Sequence, residues 1–255
     1  KKLEKNKSLI GFIGAPWTLL IYMLNLKLNT QEINIKKLKD KEIEVKLILE
    51  QLNDYLCTHI DNQINAGADV VQIFDSWAGL IPNKSLSHFC YAPNLKIVEF
   101  CKKKKIPVIC FPKGIAENYL EFNKIVKPDG LSLDYNLDIS WVKQNLTQTV
   151  LQGGMDPKFL LKPEEEMYNE AKKYLDAFKN VPYIFNLGHG LVPETKPEQV
   201  NKYAVKVMSE LGIDISDYNS NHIDEYLDHK IDLVVTVCNN AKEICPIFPK
   251  QTKFI

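Results

Sequence analysis

Val70-Val71-Gln72-Ile73-Phe74-Asp75-Ser76-Trp77 is a near-continuous apolar, β-branched run that closes on two short polar residues. A run of this kind predicts a strand buried on both faces, as in a parallel sheet covered by helices. Upstream of it, Val45, Ile48, Leu49, Leu52, Leu56 and Ile60 recur at helical spacing, and Gly67 ends the helix they predict over 42–66. Five further runs, at 9–13, 108–111, 130–133, 149–152 and 183–187, have the same character. Helical segments are predicted from Pro16 and over 96–104, 116–124, 137–144, 163–178 and 197–211. Strands and helices that alternate in this way predict an α/β fold with a parallel sheet.

Each strand is followed by small or polar residues. They are Gly14-Ala15-Pro16-Trp17, Asp75-Ser76, Pro112-Lys113-Gly114, Asp134-Tyr135, Gly153-Gly154 and Gly188-His189-Gly190. In a parallel α/β barrel the carboxyl ends of the strands form the active-site face, so six such ends predict one mouth. A closed barrel needs eight strands, and the expectation is that two lie upstream of Lys1.

The 255 residues carry 32 basic and 32 acidic groups and 45% hydrophobic residues, which disfavours a basic nucleic-acid binder or an acidic disordered tail. Residues 9–23 form the longest apolar stretch, but Gly11, Gly14 and Pro16 interrupt it short of the roughly 20 residues a membrane span needs. The charged start is not followed by a signal-type segment, so a cytoplasmic location is expected. Every basic residue is Lys; the chain has no Arg and therefore no planar two-pronged donor for carboxylates. Cys57, Cys90, Cys101, Cys110, Cys238 and Cys245 include no C-x-x-C pair and read mostly as buried thiols in a reducing compartment.

Several residues admit a functional and a plain structural reading. His189 lies between two glycines at a strand end, either as a turn histidine or as an imidazole at the mouth. Asp75 and Ser76 could cap a helix or touch a ligand. Asp134 and Asp156 admit the same two readings, and Pro157 at a first helical position favours a cap for Asp156. Tyr22 belongs by default to the core face of its helix, although its phenol could serve a ligand. No phosphate-loop signature is present, and His88-Phe89-Cys90 lacks further ligands for zinc, so no metal is expected. Cys238 and Cys245 are seven apart: either buried thiols, or a pair that could bridge only if the segment between them unwinds.

Four ordered motifs resemble uroporphyrinogen decarboxylase. They are Gly11-Phe12-Ile13-Gly14-Ala15-Pro16-Trp17-Thr18-Leu19 through Tyr22-Met23; Gln72-Ile73-Phe74-Asp75-Ser76-Trp77-Ala78-Gly79; Leu151-Gln152-Gly153-Gly154-Met155-Asp156-Pro157; and Asn186-Leu187-Gly188-His189-Gly190 with Pro193 and Thr195. The resemblance covers about residues 1–205. It implies a (β/α)8 TIM barrel, here incomplete at the N-terminus, in a cytoplasmic homodimer. It also implies conversion of uroporphyrinogen III to coproporphyrinogen III by loss of four acetate carboxyl groups, with no metal or organic cofactor. Matched by motif, Tyr22 and His189 would bind and orient substrate carboxylates as the catalytic pair, and Ser76 would add a hydrogen bond. The family's arginine motif and its pyrrole-binding aspartate have no counterpart, so little or no activity is expected of this chain alone. A cobalamin-linked methyltransferase of similar fold would need a zinc set that Val108-Ile109-Cys110 and His189 break.

Residues 206–255 resemble part of a thioredoxin-coupled arsenate reductase, through Val207-Met208-Ser209-Glu210-Leu211-Gly212-Ile213-Asp214-Ile215-Ser216, Asp232-Leu233-Val234-Val235-Thr236-Val237-Cys238 and Cys245-Pro246. That resemblance implies a partial αβ tail in which Cys238 and Cys245 match a disulfide relay. The relay lacks its first nucleophilic cysteine. The alternative expectation is thus a thiol redox protein acting through Cys238 and Cys245. The main expectation is a tetrapyrrole decarboxylase that partners neither nucleic acid nor membrane.

Overall fold

The computed structural model describes residues 7–26, 34–38, 41–146, 148–192, 194–195, 209, 233–234 and 253–254. Six parallel strands run in chain order across one sheet: β1 (Ile10–Gly14), β2 (Val70–Asp75), β3 (Val108–Pro112), β4 (Gly130–Leu133), β5 (Val150–Gly153) and β6 (Tyr183–Ile184). Each pairs in parallel with the next. The connections carry α1 (Pro16–Met23), α2 (Glu42–Asn65), α3 (Ala92–Lys103), α4 (Tyr119–Val126), α5 (Ile139–Asn145) and α6 (Glu164–Phe178). Helices are required here because a parallel pair cannot be joined by a tight turn.

The sequence places five of the six strands to within one or two residues. The sixth is shorter than the expected 183–187; past Ile184 the pairing resumes only as a single bridge between Met155 and Leu187. Helix α3 begins earlier than the 96–104 pattern, because a π-helical turn at Ser87–Tyr91 runs directly into it. The predicted helix over 197–211 and both Cys238 and Cys245 lie outside the described residues.

Side chains alternate across the strands, so each strand has a helix-facing and an inward set. Val71, Ile73, Val108, Cys110, Leu131 and Leu151 face the helices and are fully buried, packed in the layer that holds Ile60, Ile97, Val98, Phe122 and Phe178. The inward set includes Gln72, Ile109, Gly130 and Val150 in one register row, and Gly14, Phe74 and Phe111 in the next. Ser132 and Gln152 pair on that same inward face.

Gln152 Nε2 donates to Gln72 Oε1 at 3.0 Å, although β2 and β5 are separated by two strands. Neighbouring strands stand about 4.8 Å apart, so a flat sheet would hold these residues roughly 14 Å from each other. Two glutamine side chains rising side by side from a flat sheet cannot span that gap. The sheet is therefore curled around its inward face, as successive strands of a barrel are. At its margins, inward-facing Phe12 on β1 and Ile184 on β6 stay 44% and 41% exposed, whereas Phe111 in the middle is buried.

The chain divides into two units, Lys1–Leu191 and Val192–Ile255. In the second, β7 (Leu233–Val234) pairs in parallel with β8 (Lys253–Phe254). Among the described residues no helix is long and apolar enough to cross a membrane.

Candidate active site

All six strands point their carboxyl ends to one edge of the sheet; the loops there carry Ser76, Lys113, Asp134 and His189, and helix α1, which leaves β1, carries Tyr22. Tyr22 is placed by the turn that starts α1. The Ala15 amide donates to Phe74 O at 2.9 Å, and Pro16, with its preset φ, opens the helix at the tip of β1. Trp17 and Leu20 are buried, while Tyr22 is 44% exposed. The default expectation of a core tyrosine is thus replaced by a phenol at the surface, edge-on to Trp77 with ring centroids 6.1 Å apart.

Asp75 and Ser76 separate cleanly. Asp75 belongs to the helix-facing set of β2 and is 1% exposed. It accepts from Thr18 Oγ1 at 2.8 Å and from Asn94 Nδ2 at 3.2 Å. Burial pushes its carboxyl up to about 6, against the lowering effect of the hydrogen bonds from Thr18, Cys90 and Asn94. It neither caps a helix nor reaches the mouth. Ser76, one residue on, falls on the inward set with Gln72 and Phe74, and is half-buried.

The same alternation brings Lys113 inward after Ile109 and Phe111, and Asp134 inward after Ser132. Lys113 donates its amide to Asp75 O at 3.2 Å, which continues the β2 to β3 ladder one step past the strand end. Asp134 is buried and accepts at Oδ1 from the Asn136 amide at 3.1 Å, a local turn contact. The cap of α5 is instead Asp138, which accepts from the Trp141 amide at 2.8 Å. Asp156 is a cap as expected, accepting from the Lys158 amide at 2.9 Å with Pro157 at the first position.

His189 follows β6 in a loop whose glycines allow a close approach. A Cβ on Gly188 would stand 2.5 Å from the Tyr135 amide nitrogen, so a side chain there would push the loop off the end of β4. The imidazole meets Tyr135 edge-on, centroids 6.3 Å apart, and its Nδ1 lies 3.2 Å from Gly190 O. Partial burial, and next the Lys113 ammonium, hold the imidazole below its ordinary 6.5, so it is neutral at pH 7. Burial likewise lowers Lys113, while Asp134 opposes that shift.

The structure therefore gathers Tyr22 and Ser76 around Trp77 at the β1 and β2 ends, and His189 with Lys113, Asp134 and Tyr135 at the β3, β4 and β6 ends. No hydrogen bond or ring contact among the described residues joins Tyr22 to His189. Sequence reading singled out neither Lys113 nor the buried role of Asp75; counting alternate residues from Ile109 and from Gln72 finds both. Beyond the ends of β3 and β4 lies a cleft of about 350 Å³ lined by Gly114, Glu117, Asp134, Asp138 and Trp141. Its acidic walls repel carboxylates.

Among the described residues no group of three His, Cys, Asp or Glu could hold a metal. Cys110 faces the helices and burial pushes its thiol well up, as it does that of Cys90.

Comparison with known proteins places this geometry in a family. A uroporphyrinogen decarboxylase of Orientia tsutsugamushi (strain Ikeda) is 40% identical over 207 residues, which are 78% of this chain and 60% of the relative. One from Jannaschia sp. (strain CCS1) is 35% identical over 205 residues, 79% of this chain and 60% of the relative. The chain thus spans about 60% of the length of these curated relatives. The solved structure of a methyltransferase from Methanosarcina mazei superposes with a TM-score of 0.59 at 18% identity, over 76% of this chain and 56% of that one, a likeness of fold. The family model described as Uroporphyrinogen decarboxylase (URO-D) matches residues 1–209, and the chain belongs to the uroporphyrinogen decarboxylase family, whose fold is a TIM barrel.

Proposed function

We propose that this chain carries the substrate-facing edge of a uroporphyrinogen decarboxylase, which converts uroporphyrinogen III to coproporphyrinogen III by decarboxylating four acetate side chains. The observation that carries the reading is the family match over residues 1–209 together with Ser76 and His189 at the ends of strands in one curled parallel sheet.

At each acetate arm a proton adds to the electron-rich pyrrole, and the cation so formed draws the electrons of the CH2–carboxylate bond as CO2 departs. A proton then reaches the freed methylene carbon as the ring proton leaves. Each arm consumes one proton net and leaves a methyl group, so the chemistry needs no redox partner, metal or organic cofactor. The protein's part is to hold the carboxylates and shape the field around the cation. Tyr22 offers an exposed phenol donor and Ser76 a hydroxyl on the inward face. The neutral His189 has one ring N–H, which Gly190 O accepts when it is on Nδ1 and which would serve a carboxylate from Nε2 in the other tautomer.

The wider reading is a homodimer in the cytoplasm. Free, buried or half-buried Cys57, Cys90, Cys101 and Cys110 suit a reducing compartment. With no Arg to clasp eight carboxylates, turnover by this chain alone is expected to be slight.

Fluorescence titration with uroporphyrin, the stable oxidised analogue, tests the reading. Binding that weakens about tenfold in His189→Asn and in Tyr22→Phe supports it; binding unchanged in both overturns the assignment of these residues.

A further inference from the structure

We infer that Lys113 is a cation that receives a substrate carboxylate beside His189. The inference rests on the tetrapyrrole reading for the identity of the substrate, and on the structure for the site.

Lys113 is fixed at its base. Its amide donates to Asp75 O at 3.2 Å and to Phe111 O at 3.0 Å, and its carbonyl accepts from the Gly79 amide at 2.8 Å. The next residue, Gly114, has a φ of +82° and packs on Gly79 so closely that a Cβ on Gly79 would stand 2.6 Å from Gly114 O. The peptide of Lys113 is thus clamped between the end of β2 and the turn that follows it, and only the side chain is left to move. Its side chain continues the inward set of β3, next to Ser76 on one side and Asp134 on the other.

The ammonium is half-buried, and among the described residues no hydrogen bond or ion pair occupies it. Asp134 is near enough to act on it electrostatically, and the ammonium in turn acts on His189. A partly dehydrated, unengaged cation between a serine hydroxyl and a neutral imidazole is the arrangement that favours an incoming carboxylate. The anion restores the charge partner that burial denies the lysine, at a strength that water screens poorly. The composition sharpens the point, since the whole chain offers only Lys for this task. Asp134 limits the site to one carboxylate by keeping the local charge from becoming strongly positive.

The test follows the His189 imidazole by two-dimensional NMR in the full chain, with the signal assigned by its absence in His189→Asn. Two probes are titrated, mellitate as a plain polycarboxylate and uroporphyrin, in wild type, Lys113→Met and Lys113→Arg. The expected result is that both probes shift the His189 signal in wild type. Lys113→Met should weaken both at least tenfold and raise the His189 titration midpoint, and Lys113→Arg should restore both behaviours. Mellitate bound in a Lys113-dependent way with no uroporphyrin binding would keep the carboxylate site and remove the tetrapyrrole reading. Equal binding by wild type and Lys113→Met, or no probe reaching His189 in wild type, would overturn the inference.

Discussion

The hydroxyl of Thr18 donates to Asp75 Oδ1 at 2.8 Å and accepts from the Trp77 amide at 3.4 Å. One side chain thereby ties helix α1, one turn before Tyr22, to the strand end that presents Ser76. Asn94 joins the knot from α3, donating to Asp75 Oδ2 at 3.2 Å and to Cys90 O at 2.8 Å. A buried carboxyl group at this joint fixes the mutual position of Tyr22 and Ser76, two candidate site residues, without touching the mouth.

That joint makes stability depend on pH. Asp75 titrates near 6 when folded and near its ordinary 3.8 when unfolded, so the folded state holds the extra proton between those values. Stability from this group is full below about pH 4 and is lost as pH rises through 6, by on the order of 2–3 kcal/mol. Urea unfolding of wild type and Asp75→Asn between pH 4.5 and 8 should show the wild type losing ground to the variant as pH rises. A difference that is flat, or that grows in favour of the wild type, contradicts the burial argument.

The pairing of Gln72 with Gln152 predicts coupling between positions 80 residues apart. Gln152 Oε1 is already buried without a partner among the described residues, so removing Gln72 strands the rest of that amide as well. Gln72→Leu alone should cost about 1–3 kcal/mol, and Gln72→Leu with Gln152→Leu should cost less than the sum of the two single changes. Strict additivity in a double-mutant cycle would mean that the inward face is not curled as described.

Gly188 sets the position of His189. The 2.5 Å approach to the Tyr135 amide leaves no room for a methyl group, so Gly188→Ala must move one loop or the other. The expected outcome is a loss of about 1–3 kcal/mol, with the His189 NMR signal displaced even without ligand. An unperturbed His189 signal in a stable Gly188→Ala protein would show that the loop is not held against β4.

Trp17 anchors the front of the site from within. It stacks on Phe89 at 5.2 Å, and its Nε1 donates to Trp77 O at 3.1 Å. Trp17→Ala should cost about 3–5 kcal/mol, and Trp17→Phe, which keeps most of the packing but loses the hydrogen bond, much less. Thermal unfolding of the two variants checks the order.

Most of this was legible along the chain because its signals are local. The run from Val70, the helical period from Val45 to Ile60, and Asp156 before Pro157 each fix an element from its own letters. What escaped depends on distant residues or on which face a residue takes. Asp75 and Ser76 look alike as strand-end polar residues, yet one step of alternation sends the first into the helix layer and the second inward. Lys113 reads only as one of several polar residues at strand ends until β3 is seen to end at Pro112, with Asp75 O bonded to the next amide. The Gln72 and Gln152 contact has no sequence signature, since only the curl of the sheet creates it. Helix α1 is too short for its period to decide whether Tyr22 packs inside, and the structure turns it to Trp77 at the surface.

On the proposed function, the phenol of Tyr22 and the imidazole of His189 serve one mouth. The most direct test is a single uroporphyrin titration of protein labelled at tyrosine and histidine, reading the Tyr22 and His189 ring signals together by NMR. Both signals are expected to move along one binding curve with one midpoint. Movement of only one of them, or two curves with separate midpoints, would contradict it.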